Sequence, residues 1–246
     1  MVKKVLFTGS AGHLGRGIVV PFENRDIDLR LMDVRPFESP HECIVGDVGD
    51  LETVRKAVRG VDAIVIAHMA KNPDAYADPP LAFDVNVKGA ANLFFAAHEA
   101  HIRKIVLISS TSATVGYRNS HLEPHTLPPK ATGLYALTKA LQEVIAEQFS
   151  REFGMAVAVL RIGCVADADK LVDKYGRKIS ERSLLLIDGR DIGQVARLCL
   201  ERDDINYEVF NVMSTPEALE QCDVAHTCQR LNWKPMHDFS QLPTSR

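Results

Sequence analysis

The chain has 246 residues, 46% of them apolar, so it can bury a substantial core, and its length suits one α/β domain over 1–246 with a small appendage. A formal net charge of -3 builds no basic stripe, which argues against nucleic acid or an anionic membrane as the main partner. No apolar stretch approaches the roughly 20 residues of a transmembrane helix, and the first residues enter a strand directly, so a soluble, unexported, cytoplasmic protein is expected. Five cysteines without a Cys-x-x-Cys pair signal neither a disulfide framework nor zinc, and no metal is expected.

Val5-Leu6-Phe7 is an apolar strand that stops at Thr8-Gly9-Ser10-Ala11-Gly12-His13-Leu14-Gly15, where glycines three apart hand over to a helical pattern. Glycine there supplies positive φ, lets backbone approach a pyrophosphate and lets the helix press on the strand. The first helical amides then face the anion; a plain tight turn is the alternative. Leu29 to Met32 reads as a strand closing on Asp33, eighteen residues after Gly15. A carboxylate at that point accepts adenosine ribose hydroxyls and repels a 2′-phosphate, so NAD is expected ahead of NADP, although Arg35 could receive the phosphate.

Cys43 to Val48 is a short apolar run around Asp47, expected near an adenine edge, and Asp50 caps the helix that follows. Val61 to Ala67 is apolar almost throughout, as a strand covered on both faces should be, and ends at His68-Met69-Ala70 beneath a cofactor. Proline-rich Lys71 to Pro80 is a loop before a long helix, Leu81 to His98. Lys104 to Ile108 runs into Ser109-Ser110-Thr111-Ser112-Ala113-Thr114, hydroxyls at the carboxyl end of a parallel strand, where open α/β sheets bind ligands. Ser109 is expected to satisfy orphan backbone groups there instead.

Asn119 to Pro129 is a second loop, and Gly133 opens a helix to about Phe153 on which Tyr135 and Lys139 project from one face a turn apart. A strand ends at Arg161, Asp167 to Glu181 reads as a mobile flap, Leu184 to Ile187 is apolar, and Asp191 starts a helix. Tyr207 to Val212 is the last strand; one closing helix, roughly Leu219 to Leu231, precedes a frayed tail. The whole pattern is a Rossmann-type, doubly wound parallel sheet, with residues 162–246 supplying most of a small C-terminal substrate-binding part.

The order of these motifs resembles the extended short-chain dehydrogenase/reductase family, the NAD-dependent epimerase and dehydratase relatives. The resemblance is carried by the glycine turn, Gly46-Asp47, Asn86-Val87-Lys88-Gly89, Ser110 to Val115, Tyr135 with Lys139, and Arg161-Ile162-Gly163. It implies cofactor contacts at Gly9, Gly12, His13, Leu14, Gly15, Asp33, Asp47, Val48, Ala67, His68, Met69, Asn86, Lys139 and Cys164. It implies a catalytic tyrosine at Tyr135, a lysine at Lys139 and a hydroxyl at Ser112, with Thr111 the alternative, and pairing into a homodimer through the helices of Ala90 and Tyr135.

Gly116-Tyr117, Arg161-Ile162-Gly163, Asp191 and Leu231-Asn232-Trp233-Lys234-Pro235 look like the uronate dehydrogenase branch, which oxidises a free hexuronate at C1 with NAD. That branch implies substrate contacts at Thr111, Ser112, Ala113, Tyr135 and Arg182, the arginine meeting the sugar carboxylate. The roughly 85 residues after Arg161 are expected to cover a nucleotide sugar poorly. Tyrosine has an ordinary pKa near ~10, which a neighbouring lysine cation lowers, so that Tyr135 takes the hydroxyl proton as hydride leaves. Two other readings stay open: an epimerase or dehydratase that keeps NAD bound, and a dinucleotide-sensing protein without turnover.

Overall fold

The computed structural model describes residues 2–23, 25–70, 79–117 and 124–245. Most of the loop expected over 71–80, and the first part of that expected over 119–129, lie outside them. Seven strands form one parallel sheet: β1 (Lys4–Thr8), β2 (Asp28–Asp33), β3 (Glu42–Val45), β4 (Ala63–Ile66), β5 (Lys104–Ser110), β6 (Ala156–Ile162) and β10 (Tyr207–Val212), in the order β10-β6-β5-β4-β1-β2-β3. Alternate residues of each central strand enter two separate cores, as a sheet covered on both faces requires. Val5, Phe7, Val65 and Val106 pack under α1 (His13–Val19) and α6 (Gly189–Glu201). Leu6, Ile64, Ile66 and Leu107 pack under α2 (Leu51–Ala57), α4 (Gly89–Glu99) and α5 (Leu134–Phe153).

From β1 the chain builds outward to β3 and then returns to place β4 on β1's other side. The carboxyl ends of β1 and β4 therefore flank the point where strand order reverses, and adjacent crossovers leave that crevice open to a ligand. No helix of the described residues is long and apolar enough to cross a membrane.

Four expectations need correction. The helix before β5 is interrupted: α3 (Pro79–Ala82) passes into a π-helical segment, Phe83–Lys88, before α4, and one extra residue per turn is invisible to apolar periodicity. The segment read as a mobile flap is built: β7 (Cys164–Asp167) pairs with β8 (Val172–Asp173) and with β9 (Leu186–Asp188) in a second, three-stranded sheet. The closing helix is two, α7 (Pro216–Gln221) and α8 (Ala225–Leu231), each ended by its own backbone turn. The tail is not frayed: Phe239 and Leu242 are buried with Ala166, Ala168 and Leu186 in a small core of their own.

Helices α1 and α6 cross at backbone distance. A Cβ at Gly193 would lie 2.3 Å from the Ile18 carbonyl oxygen, and one at Gly17 2.8 Å from the Gly189 Cα. This contact seats the helix that follows the glycine turn. Gly193→Ala is therefore expected to lower the urea midpoint, with a stability loss of about 1–3 kcal/mol and an unchanged slope, as overpacking does.

Candidate active site

Gly9 stands at the end of β1 with φ +76°, and a Cβ there would come within 2.7 Å of the His68 Cα at the end of β4. A Cβ at Gly15 would lie 2.4 Å from the Gly9 carbonyl oxygen, so α1 leaves the turn with its backbone pressed on the loop. Gly12 is the N-cap of α1 and carries no side-chain cap; His13 is exposed and Leu14 half-buried beside it. The Gly9 and Ser10 amides donate to the Met32 carbonyl at 2.9 and 3.2 Å. Asp33, 8% exposed, accepts from the Ala11 amide at 3.0 Å, which ties the end of β2 to the glycine turn. Its other oxygen accepts from the Arg35 amide at 3.0 Å and from Arg35 Nε at 3.3 Å. Arg35 is thereby paired with the acid it was expected to compete with.

Asp47 is exposed and accepts from the Gly49 amide at 2.8 Å, while Val48 is buried and its carbonyl accepts from Asn92 Nδ2 at 2.9 Å. Ala67 and Met69 are half-buried on either side of His68. His68 hydrogen-bonds through Nδ1 to Thr8 Oγ1 at 2.9 Å. Burial, and then the Lys139 charge, push this imidazole down to about 3, so it is neutral across the physiological range.

On the other side of the crevice, β5 ends in a 3-10 turn, Thr111–Thr114, whose N-cap Ser110 Oγ accepts from the Ser112 amide at 3.1 Å. Helix α5 packs on this turn and on β5, and brings half-buried Tyr135 and fully covered Lys139 to the same end of the sheet. Lys139 Nζ donates to the Ile108 carbonyl at 2.8 Å. Burial pushes its ammonium down to about 8; the Glu143 carboxylate one turn on pulls it up and Lys174 in the turn after β8 pushes it down. Thr111 and Ser112 are half-buried at the rim.

Several expected contacts fall elsewhere. Ala113 is 0% exposed, its carbonyl accepting from the Lys130 amide at 2.7 Å, so its side chain packs inward rather than toward a substrate. Asn86, within the π-helical segment, is also 0% exposed. It accepts from the Ala70 amide at 2.7 Å and donates to Thr138 Oγ1 at 2.9 Å, which makes it a brace between β4's end and α5 rather than a surface for a cofactor. Ser109 is structural as expected, but its partner is the Glu143 carboxylate, at 2.5 Å, not backbone. Cys164 is exposed at the start of β7.

Arg182 is the clearest departure. Nε and Nη2 donate to Glu217 at 2.9 and 2.5 Å, Nη1 to the Phe239 and Leu242 carbonyls at 3.3 and 3.0 Å, and Nη2 also to Thr244 Oγ1 at 3.1 Å. All five donors of the guanidinium are engaged within the protein, so Arg182 anchors the tail and has none left for a sugar carboxylate. Two residues escaped the sequence reading: Glu143, though its i+4 spacing from Lys139 was a signal, and Lys174, for which there was none.

The chain is similar in sequence and fold to known proteins. The model described as NAD dependent epimerase/dehydratase family matches residues 5–181. Over 230 residues the chain is 27% identical to the NAD-dependent glucose-6-phosphate dehydrogenase of Haloferax volcanii, covering 85% of this chain and 84% of that protein. It is 31% identical over 169 residues to the uronate dehydrogenase of Agrobacterium fabrum, 66% of this chain and 61% of that one. A crystal structure of uronate dehydrogenase from Agrobacterium tumefaciens aligns with a TM-score of 0.77 at 25% identity, over 97% of this chain and 86% of that one.

The depressed His68 pKa carries a stability signature. Unfolded, the imidazole binds a proton near its ordinary 6.5; folded, it resists until about 3, so stability falls as pH drops through that window. The stability advantage of wild type over His68→Gln, read by urea unfolding, should shrink by about 1.4 kcal/mol per pH unit below about pH 6.

Proposed function

The chain belongs to the NAD dependent epimerase/dehydratase family, and we propose that it acts as an NAD-dependent dehydrogenase of a free sugar or hexuronate-like sugar acid. The observation that carries this reading is the pairing, across one crevice, of a backbone-lined glycine turn with Tyr135 and the buried Lys139. The turn at Gly9, Gly12 and Gly15, whose backbone packs too closely to admit a Cβ at Gly9 or Gly15, fits a pyrophosphate together with His13 and Leu14 at the start of α1. Asp33 beside it fits the ribose hydroxyls of NAD, and Asp47, Val48, Ala67, His68 and Met69 are the other residues that would hold the dinucleotide. The carboxylate and its pairing with Arg35 favour NAD over NADP.

Bound NAD supplies the hydride acceptor. Tyr135, as phenolate, would take the proton of the substrate hydroxyl, with the Lys139 ammonium supporting that charge, and Lys139 would be the residue that holds the nicotinamide ribose. Ser112 donates to the same substrate oxygen and keeps it in line, with Thr111 next to it at the rim. Residues 162–246 contribute the substrate side through the small sheet, with Cys164 at its start toward the cofactor. Arg182 is engaged by Glu217 and the tail, so a sugar carboxylate is received by another group of this part.

Membership of this family also suits an epimerase with tightly held NAD, and the two activities differ in net chemistry. Uronic acids and aldoses mixed with enzyme and NAD should raise absorbance at the NADH band; spectral silence with conversion of a nucleotide sugar would select the epimerase. Tyr135→Phe should lower kcat about 10²–10⁴-fold with NAD affinity retained, and full turnover in that variant would remove the assignment.

Pairing into a homodimer is part of the proposal. Leu137 and Val144 on α5 are 42% and 52% exposed and lie on one stripe with Leu141, an apolar face that a second copy would cover. Val144→Glu is expected to shift the mass by light scattering from dimer to monomer.

A further inference from the structure

An ammonium that is 3% exposed and held by a backbone carbonyl needs a counter-charge, because a carbonyl offers only a partial one. The groups facing Lys139 can be taken element by element. From β4's end comes His68, neutral; from the turn after β8, Lys174, positive; and from α5 itself, Tyr135 and Glu143, the latter holding Arg161 of β6 on its carboxylate. Among the described residues, Glu143 is the anion whose field supports the lysine.

Glu143 is 1% exposed and fully held. It accepts from Ser109 Oγ at 2.5 Å, from Arg161 Nε at 3.1 and 3.3 Å, and from Arg161 Nη2 at 2.8 Å. Neighbouring residues of β5 thus hold the two charges, Ile108 the ammonium and Ser109 the carboxylate. Arg161, 2% exposed, also donates to the His125 carbonyl at 3.3 Å and the Leu127 carbonyl at 2.9 Å. That segment reaches the serine turn through Lys130, whose amide donates to the Ala113 carbonyl and whose carbonyl accepts from the Gly116 amide.

We infer that Glu143 is the positioning residue that keeps Lys139 charged inside the protein, and that Arg161, by sharing this carboxylate, joins the lysine to the 125–130 segment beside the site. The arrangement orders the charges along α5: phenol at Tyr135, ammonium at Lys139 one turn on, carboxylate at Glu143 a further turn on, and guanidinium beyond it. Removing only the carboxylate would take the anion from Lys139 and leave the Arg161 guanidinium buried without its ion-pair partner. Removing both Glu143 and Arg161 charges would leave Lys139 with its carbonyl alone. The consequence for turnover rests on the dehydrogenase reading; the charge relation does not.

The test titrates Lys139 directly. Protein with ¹³C-labelled lysine is followed by NMR at Cε against pH, with Lys139→Arg identifying the resonance. In wild type the ammonium should titrate near about 8. In Glu143→Gln its proton affinity should fall at least tenfold, and in Glu143→Gln/Arg161→Met it should lie between the two, since the unpaired guanidinium has also gone. The alkaline limb of kcat for sugar oxidation should move in the same order. If the single variant does not fold, wild type against the double variant still decides. A Lys139 midpoint unchanged in the single variant, or equal to or above wild type in the double, overturns the inference. An NMR series in the expected order without sugar-dependent NADH formation keeps the charge relation and removes the dehydrogenase reading. Turnover with unshifted lysine titration does the reverse.

Discussion

Burial of charge along one face of α5 is the constraint on which the site depends. Lys139, Glu143 and Arg161 are each no more than 3% exposed, and a charge so far from water is tolerable only with partners on every side. Those partners come from β5, β6 and the 125–127 carbonyls, so satisfying one buried ion requires three separate pieces of the fold to be in register. A helix held this way cannot roll, and Tyr135 inherits its direction from that.

The facing wall is set by the opposite means, the absence of side chains. At Gly9 and Gly15 there is no room for a Cβ, and at Gly17, Gly189 and Gly193 two helices touch through backbone. Close backbone contact keeps amide groups near the crevice while α6 fastens α1 from behind. Asp33 and His68 complete the join by hydrogen bonds to Ala11 and Thr8, which places the ends of β1, β2 and β4 at one level. Asn86 then spans from β4's end to α5 and links the two walls.

Much of this was legible in the chain. The apolar runs that became β1, β4, β5 and β6 are buried on both faces, and such runs announce doubly covered strands without any knowledge of neighbours. The glycine spacing, Asp33 and the Tyr135–Lys139 interval are local patterns, each set within about one turn of helix or one loop. The π-helical segment was illegible because it changes phase without changing composition, and the helix pair α7 and α8 because only backbone hydrogen bonds mark where one ends and the other begins.

By itself the sequence determined which segments become strands and helices, and which residue types stand at the strand ends, since those follow from periodicity and backbone preference over a few neighbouring residues. Only the tertiary structure decided the partners. Arg182 was expected to meet a sugar carboxylate and is fully engaged by Glu217 and the tail, while Ala113 and Asn86 turned inward. Long-range hydrogen bonds, such as that of Arg182 to a carbonyl sixty residues away, depend on how separate elements meet, and no local pattern records that meeting.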